Sequence, residues 1–233
     1  MSRISVVIRD HHGLTGALSL LKVINERMGH EEVEFVVICD GSSRCNLNVK
    51  GKQAKKLTVA SGQLDTPYAL NLGAEAVKSE VVIFTVGEAI PVDGSWLEAA
   101  DRCCHEPSVA GVCGPILPAE EVTLFDRMYG RLALLGAKLV GMRRLDKLPF
   151  THFSPLNMAI DRRLWLQHPF QTLGDASSST EEWSSWAFGR GYDLVYDWAF
   201  AIRYSARPDQ LSETSQASGP VRIIRSPISN RTP

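Results

Sequence analysis

An unbroken apolar run that stops at an acid is the feature that most restricts this chain. It reads Val81-Val82-Ile83-Phe84-Thr85-Val86, then Gly87-Glu88-Ala89-Ile90-Pro91 and Gly94-Ser95-Trp96-Leu97. Apolar residues at successive positions predict a strand covered on both faces, as in a parallel sheet. Open α/β sheets bind ligands outside the carboxyl ends of their strands. Glu88 at that rim is either a solvated loop acid or a carboxylate that holds a divalent cation against phosphates. A second strand ends in the same way: Val33 to Cys39, followed by Asp40-Gly41-Ser42-Ser43. Gly and Ser there allow a tight turn with exposed N–H groups. The acid can accept hydrogen bonds from a ribose or a base. Two acids at the ends of two buried strands point to a polar ligand.

The totals narrow the class. The chain has 233 residues, enough for one sizeable α/β domain or a domain with a tail. A net charge of -1 argues against a general nucleic-acid binder. The five cysteines (Cys39, Cys45, Cys103, Cys104, Cys113) include no Cys-x-x-Cys pair. An odd number with that spacing predicts buried thiols in a reducing compartment, not disulfides or a zinc site. Met1 to Val6 enters a strand directly, which predicts no signal peptide. No apolar run approaches about 18 residues, so no membrane span is expected. The expected location is cytoplasmic, with peripheral contact at the inner face of a membrane as a further option.

Along the chain, Ile4–Ile8 reads as the first strand. Leu14, Leu18, Leu21 and Met28 then recur at helical spacing. Strands follow at 33–39 and 57–60. Thr66-Pro67 opens a helix through Val77, with Pro at the first helical position. Beyond the 81–86 strand come a helix at Trp96–Cys104 and a strand at Val109–Cys113. This alternation predicts a parallel sheet with helical cover. The second half is less regular. Residues 122–145 alternate apolar and basic residues and read as a helix packed on the sheet, or as a segment meeting a membrane or lipid-linked substrate. Gly130, Gly136 and Gly141 favour the packed helix. Strands are expected at 153–160, 194–196 and 201–204, and a short helix at 181–190. Residues 206–233 are rich in Ser, Pro and Gln and predict a disordered tail after a domain of residues 1–205, apart from a short segment at 221–225.

These residues carry a likeness. Ile4-Ser5-Val6-Val7-Ile8, Asp40-Gly41-Ser42-Ser43, and Ala69-Leu70-Asn71-Leu72-Gly73 before Val82-Ile83-Phe84 resemble family 2 glycosyltransferases of the GT-A fold. Glu88-Ala89-Ile90-Pro91 with Trp96-Leu97 looks like their rhamnosyltransferase-type members. Asn157 to Arg163, Trp165, Trp183, Gly191-Tyr192 and Val195-Tyr196 are similar to the family's second half. The likeness runs from residue 3 to residue 205 in consistent order.

It implies an α/β, GT-A-type fold with a mixed, mostly parallel sheet flanked by helices. It also implies transfer of a sugar from a nucleotide-diphospho-sugar to a saccharide or lipid-linked acceptor, with inversion, as in polysaccharide biosynthesis. Asp40, Arg9, His11, Asn71 and Asn157 would contact the nucleotide sugar. Glu88 would hold Mg²⁺ or Mn²⁺, and Glu181 or Glu182 would serve as the base that deprotonates the acceptor. The chain departs from the family's pattern at several of these places. Val86 stands where the metal motif's first acid often sits, and Cys39 takes the first acidic position of the second strand. Arg9 replaces a proline. Ser179 and Thr180 fall where a Glu-Asp pair is usual, and Tyr204-Ser205 replace a metal-binding histidine. Such losses also fit a non-catalytic binding or scaffold module that keeps the fold. A third option is a transferase in which Arg9, His11 or Arg162 replaces the cation.

Overall fold

A computed structural model describes residues 4–11, 15–27, 33–41, 48–49, 52–92, 94–118, 143–145, 153–172 and 174–204. The apolar run at 81–86 is the fourth strand of an eight-stranded sheet counted from one edge. In chain order the strands are β1 (Ile4–Asp10), β2 (Val33–Asp40), β3 (Asn48–Val49), β4 (Lys52–Gln53), β5 (Lys55–Val59), β6 (Val81–Val86), β7 (Ala89–Pro91), β8 (Val109–Cys113), β9 (Ile116–Pro118), β10 (Arg143–Leu145), β11 (Asn157–Asp161), β12 (Asp193–Tyr196) and β13 (Ile202–Tyr204). The helices are α1 (Thr15–Arg27), α2 (Pro67–Glu75), α3 (Trp96–Cys104), α4 (Arg162–Gln167) and α5 (Ala176–Gly189).

The large sheet has the order β10-β12-β8-β11-β6-β1-β2-β5. Strands β6, β1, β2 and β5 run parallel to one another. Strand β11 runs antiparallel between β6 and β8, and β10 lies antiparallel at the edge against β12. A second sheet, β7-β13-β9, is built from the segments that leave the first.

Side-chain alternation sends the two faces of β1 into two cores. Val6 and Ile8 pack with Ala17, Leu20 and Ile24 of α1 and with Trp96, Leu97 and Ala100 of α3. Val7 packs on the opposite face with Ala69, Leu70 and Ala74 of α2 and with Trp183 and Ala187 of α5. Each fully buried Val, Ile or Leu contributes about 1.5–3 kcal/mol, so these strands are apolar at nearly every position. Gly73 explains a helical glycine: a Cβ there would overlap Val7 Cγ1 and lift α2 off the sheet.

The second half differs from expectation in three places. Helix α5 begins at Ala176, not 181. Asp175 caps it, its carboxylate accepting from the Ser178 N–H at 2.7 Å. The Ser177-Ser178-Ser179 run hides that start, because serine is a weak helix former that favours caps and turns. Strand β11 begins at Asn157 because 153–156 form a turn, in which Ser154 O accepts from the Asn157 N–H. Within 122–145, residues 143–145 form a strand paired with β12, where a helix was expected. Residues 119–142, like the tail at 206–233, lie outside the described residues. Among the described residues no helix is long and apolar enough to cross a membrane.

Cys39, Cys103, Cys104 and Cys113 are buried thiols. Burial and the Asp197 carboxylate push the Cys103 thiol up to about 12, and burial raises Cys104 and Cys113 as well. Since the thiolate is the reactive species, all four should resist iodoacetamide at neutral pH in the native protein. They should react together on unfolding, as read by peptide mass spectrometry.

Candidate functional site

Strands β1, β2 and β6 end at one rim. Arg9 lies opposite Ile38 and Val86, and Asp10 opposite Cys39. The pleat turns Arg9 toward α2, as it does Val7, and turns Asp10 toward α1. The Asp10 carboxylate accepts from the Ala17 N–H and anchors the first turn of α1. The loop carrying Glu88 is drawn in beside it. Gly87 N–H donates to Arg9 O at 2.9 Å. A Cβ on Gly87 would lie 2.8 Å from both Ala17 N and Asp10 Oδ2, so only glycine allows this approach.

Arg9 is the centre of the rim. Its side chain is 2% exposed, and Nη1 donates to Asp65 Oδ1 at 2.7 Å. Nη2 donates to the Pro155 carbonyl at 3.2 Å. Nε is buried with no hydrogen-bond partner among the described residues. His11 Nε2 lies 3.3 Å from the same Asp65 oxygen. Asp65 itself is 61% exposed, on the loop before α2. Its backbone carbonyl accepts from the Ala176 N–H, which brings the start of α5 to the same rim.

The electrostatics follow from this packing. Burial lowers the Arg9 pKa, opposed by the charges of Asp65, Tyr204 and Glu88. His11 is raised, first by its hydrogen bond to Asp65. Burial would raise Asp65, but His11 and Arg9 outweigh it and hold the carboxyl below its usual value. Glu88 acts on both Arg9 and His11, so it belongs to the same cluster.

Arg9, His11 and Glu88 are thus brought together, and Asp65 joins them unforeseen by the sequence reading. An acid before Thr66-Pro67 looks like an ordinary helix-start residue. Its one distinguishing signal was the charge at position 9, which a buried strand cannot hold without a counter-ion. Asp40 sits on the α2 face of β2, beyond Ile38, and its carboxylate accepts from Ser61 Oγ at 3.3 Å. It shares the rim but not the Arg9 cluster.

Both asparagines spend their amides inside the protein. Asn71 Oδ1 accepts from Trp165 Nε1 and Phe170 N–H, and Nδ2 donates to Phe170 O. Asn157 is fully buried. Its Oδ1 accepts from Trp96 Nε1 at 3.1 Å, and Nδ2 donates to Phe200 O at 2.6 Å and Gly114 O at 3.4 Å. Trp96 also stacks on Phe200, with centroids 5.2 Å apart. On α5, 100° per residue puts Glu181 and Glu182 on opposite flanks of the buried stripe. Glu182 is taken by His168 Nε2 at 2.9 Å, whose ring stacks on Trp186. Glu181 is half-buried. Ser179 and Thr180 are buried between Ala176 and Trp183.

A divalent cation needs several carboxylate oxygens or equivalent donors. Among the described residues, no three His, Cys, Asp or Glu side chains gather as such a set. Val86 is buried in the core, and the charge of Glu88 is felt at Arg9 and His11. The described residues at this rim do not form a divalent-cation seat.

No family model matches the chain, and no curated protein matches it in sequence. Solved structures do match. A mannosyltransferase, PcManGT, from Pyrobaculum calidifontis, in complex with GDP-Man and Mn²⁺, superposes with TM-score 0.60 at 15% identity, covering 88% of this chain and 57% of that one. S. aureus TarS, in complex with UDP-GlcNAc, gives 0.63 at 12% identity, with 91% and 61% covered. Glucosyl-3-phosphoglycerate synthase from Mycobacterium tuberculosis, in complex with Mn²⁺, UDP and phosphoglyceric acid, gives 0.58 at 15%, with 92% and 75% covered. The fold is therefore the GT-A fold of nucleotide-sugar glycosyltransferases. The chain spans about three fifths of the length of the first two structures.

Two outcomes test this geometry. Asn157→Ala strands the Trp96 N–H and two carbonyls, so unfolding free energy in urea should fall by about 3 kcal/mol or more. The stability that His11 contributes is fully present below its unfolded pKa of about 6.5. It is lost as pH rises through the raised folded value. The Asp65 contribution runs the other way and is lost only in acid, below about 3.8. Between about pH 6 and about pH 8 the wild-type thermal midpoint should therefore fall relative to that of His11→Ala.

Proposed function

We infer that this chain is a nucleotide-sugar glycosyltransferase that binds its donor at the Arg9 rim and transfers the sugar with inversion. One observation carries the reading: a buried arginine stands at the carboxyl end of β1, an inner strand of the sheet, and its counter-ion is the exposed Asp65. A buried guanidinium is costly and has no use in the core. In a GT-A fold it lies where open α/β sheets take polar ligands. Asp40 would serve the nucleoside, and Arg9 and His11 the diphosphate. Asn71 and Asn157 would position the walls from beneath.

Glu181 is the carboxylate we assign as base, since Glu182 is engaged by His168. In the step, the acceptor hydroxyl gives its proton to Glu181, and its oxygen bonds to the anomeric carbon. The bond from that carbon to the diphosphate oxygen breaks, and the electron pair leaves with the diphosphate. The acceptor is a saccharide or a lipid-linked saccharide, and the rhamnosyltransferase type is the subclass that the Glu88–Leu97 stretch resembles. PcManGT and the phosphoglycerate synthase were solved with Mn²⁺. The donor set that the described residues offer at this rim does not fit such an ion.

A second reading has its own support. Val86 is buried, and Ser179 and Thr180 are buried on α5 where the family's acids would stand. A non-catalytic module that keeps the fold as a binding scaffold would tolerate both.

Thermal shift with UDP, GDP and dTDP, with and without Mn²⁺, separates the readings: stabilisation by one nucleotide supports the transferase, and no response to any supports the scaffold. With a responding donor, Glu181→Gln should lower transfer about 100-fold or more. Glu182→Gln should stay within a few-fold of wild type.

A further inference from the structure

The Arg9 rim is balanced within itself. Arg9, and His11 when protonated, supply the positive charge and share the Asp65 carboxylate, with the charge of Glu88 also felt at both. A diphosphate arriving at this arrangement meets two carboxylates, and a divalent cation meets a guanidinium and an imidazole. Neither fits the resting state unless something moves. Asp65 is the member built to move. Its side chain is 61% exposed, on a loop, while Arg9 beneath it is 2% exposed. One oxygen, Oδ1, lies within reach of both Arg9 Nη1 at 2.7 Å and His11 Nε2 at 3.3 Å. An oxygen shared between a guanidinium and an imidazole is the arrangement a phosphate oxygen would adopt on the same pair. The guanidinium is also unsaturated, since Nε has no hydrogen-bond partner among the described residues.

We propose that the Asp65 carboxylate is an internal placeholder for a phosphate of the donor. The phosphate displaces it and is held by Arg9 and His11 without a divalent cation. This rests on the reading of the rim as a nucleotide-sugar site. Rotation of an exposed carboxylate into water is a fast side-chain event that requires no backbone change. The Asp65 backbone stays fixed, because its carbonyl holds the Ala176 N–H. Once Asp65 has swung out, the rim carries an excess of positive charge and a buried guanidinium without its anion. The phosphate then restores the balance. In this chain the exchange of one internal anion for an external one takes over what a metal ion would otherwise do for the diphosphate.

The experiment is calorimetric titration with inorganic pyrophosphate, UDP, GDP and dTDP, each in EDTA and in Mn²⁺. The proteins are wild type, Asp65→Asn, Asp65→Ala and His11→Ala, with folding checked by circular dichroism and thermal midpoint. Pyrophosphate is expected to bind wild type in EDTA with an affinity that Mn²⁺ does not improve. Removing the placeholder raises the fraction of open sites, so whichever Asp65 variant folds should bind about threefold tighter or more. His11→Ala should bind about tenfold weaker, having lost a charge-assisted hydrogen bond. Pyrophosphate binding that appears only with Mn²⁺ overturns the proposal. So does a folded Asp65 variant that binds no tighter than wild type, which is the behaviour of a purely structural ion pair. The two levels fail separately. UDP, GDP or dTDP bound only with Mn²⁺ sinks the placeholder and leaves the transferase reading standing. Tightened pyrophosphate binding in EDTA with no response to UDP, GDP or dTDP keeps the anion exchange and removes the sugar donor.

Discussion

One buried positive charge organises the working edge of this protein. A guanidinium removed from water must find anions or carbonyls, because leaving it unpaired costs several kcal/mol. Arg9 meets that demand with partners distant in the chain: the Asp65 carboxylate and the Pro155 carbonyl. Each contact fixes more than itself. Asp65 sets the loop that opens α2 and, through its carbonyl, the first residue of α5. Pro155 lies in the turn that opens β11, so the same side chain sets where Asn157 enters the sheet. Asn157 then holds Trp96 of α3 and the carbonyl of Phe200. Two of the protein's helix starts and its one central antiparallel strand are thereby referred to a single side chain.

The strands were legible in the amino-acid sequence for a simple reason. A strand covered by helices on both faces must be apolar over most of its length, and β1, β2, β6 and β8 carry unbroken apolar runs, with the polar residues of β1 and β2 gathered mainly towards their ends. Helix α5 was legible only from Glu181 onward, because its first turn is serine and its cap is an aspartate that also suits a loop. The short strands β7 and β9 have too few residues to show a period. The site was legible in part. Glu88, Arg9 and His11 could be placed at one rim because strand ends converge there. Asp65 could not, since nothing local marks an acid that answers a charge 56 residues away. The roles of Asn71 and Asn157 were hidden for a related reason. An amide at a strand or helix position does not disclose whether it faces a ligand or three groups of its own protein.

The GT-A architecture is present here with altered electrostatics. Where a first motif acid often sits, Val86 packs into the core. Gly87 closes against α1, and the charge of Glu88 is felt at Arg9 and His11. The scaffold tolerates this because its stability rests on the two apolar layers, which none of these changes touches. The polar rim is free to vary while the sheet beneath it is not.

The partners that meet at Arg9 lie 56 and 146 residues apart in sequence. Closing such spans is entropically late work, done after local helices and neighbouring strands have formed. A nascent polypeptide emerging from the ribosome therefore lacks the finished Arg9 rim through most of its synthesis. A ligand of that rim would meet it complete only after the segment around residue 155 has docked, and from that moment its binding would act as a clasp on the finished tertiary structure.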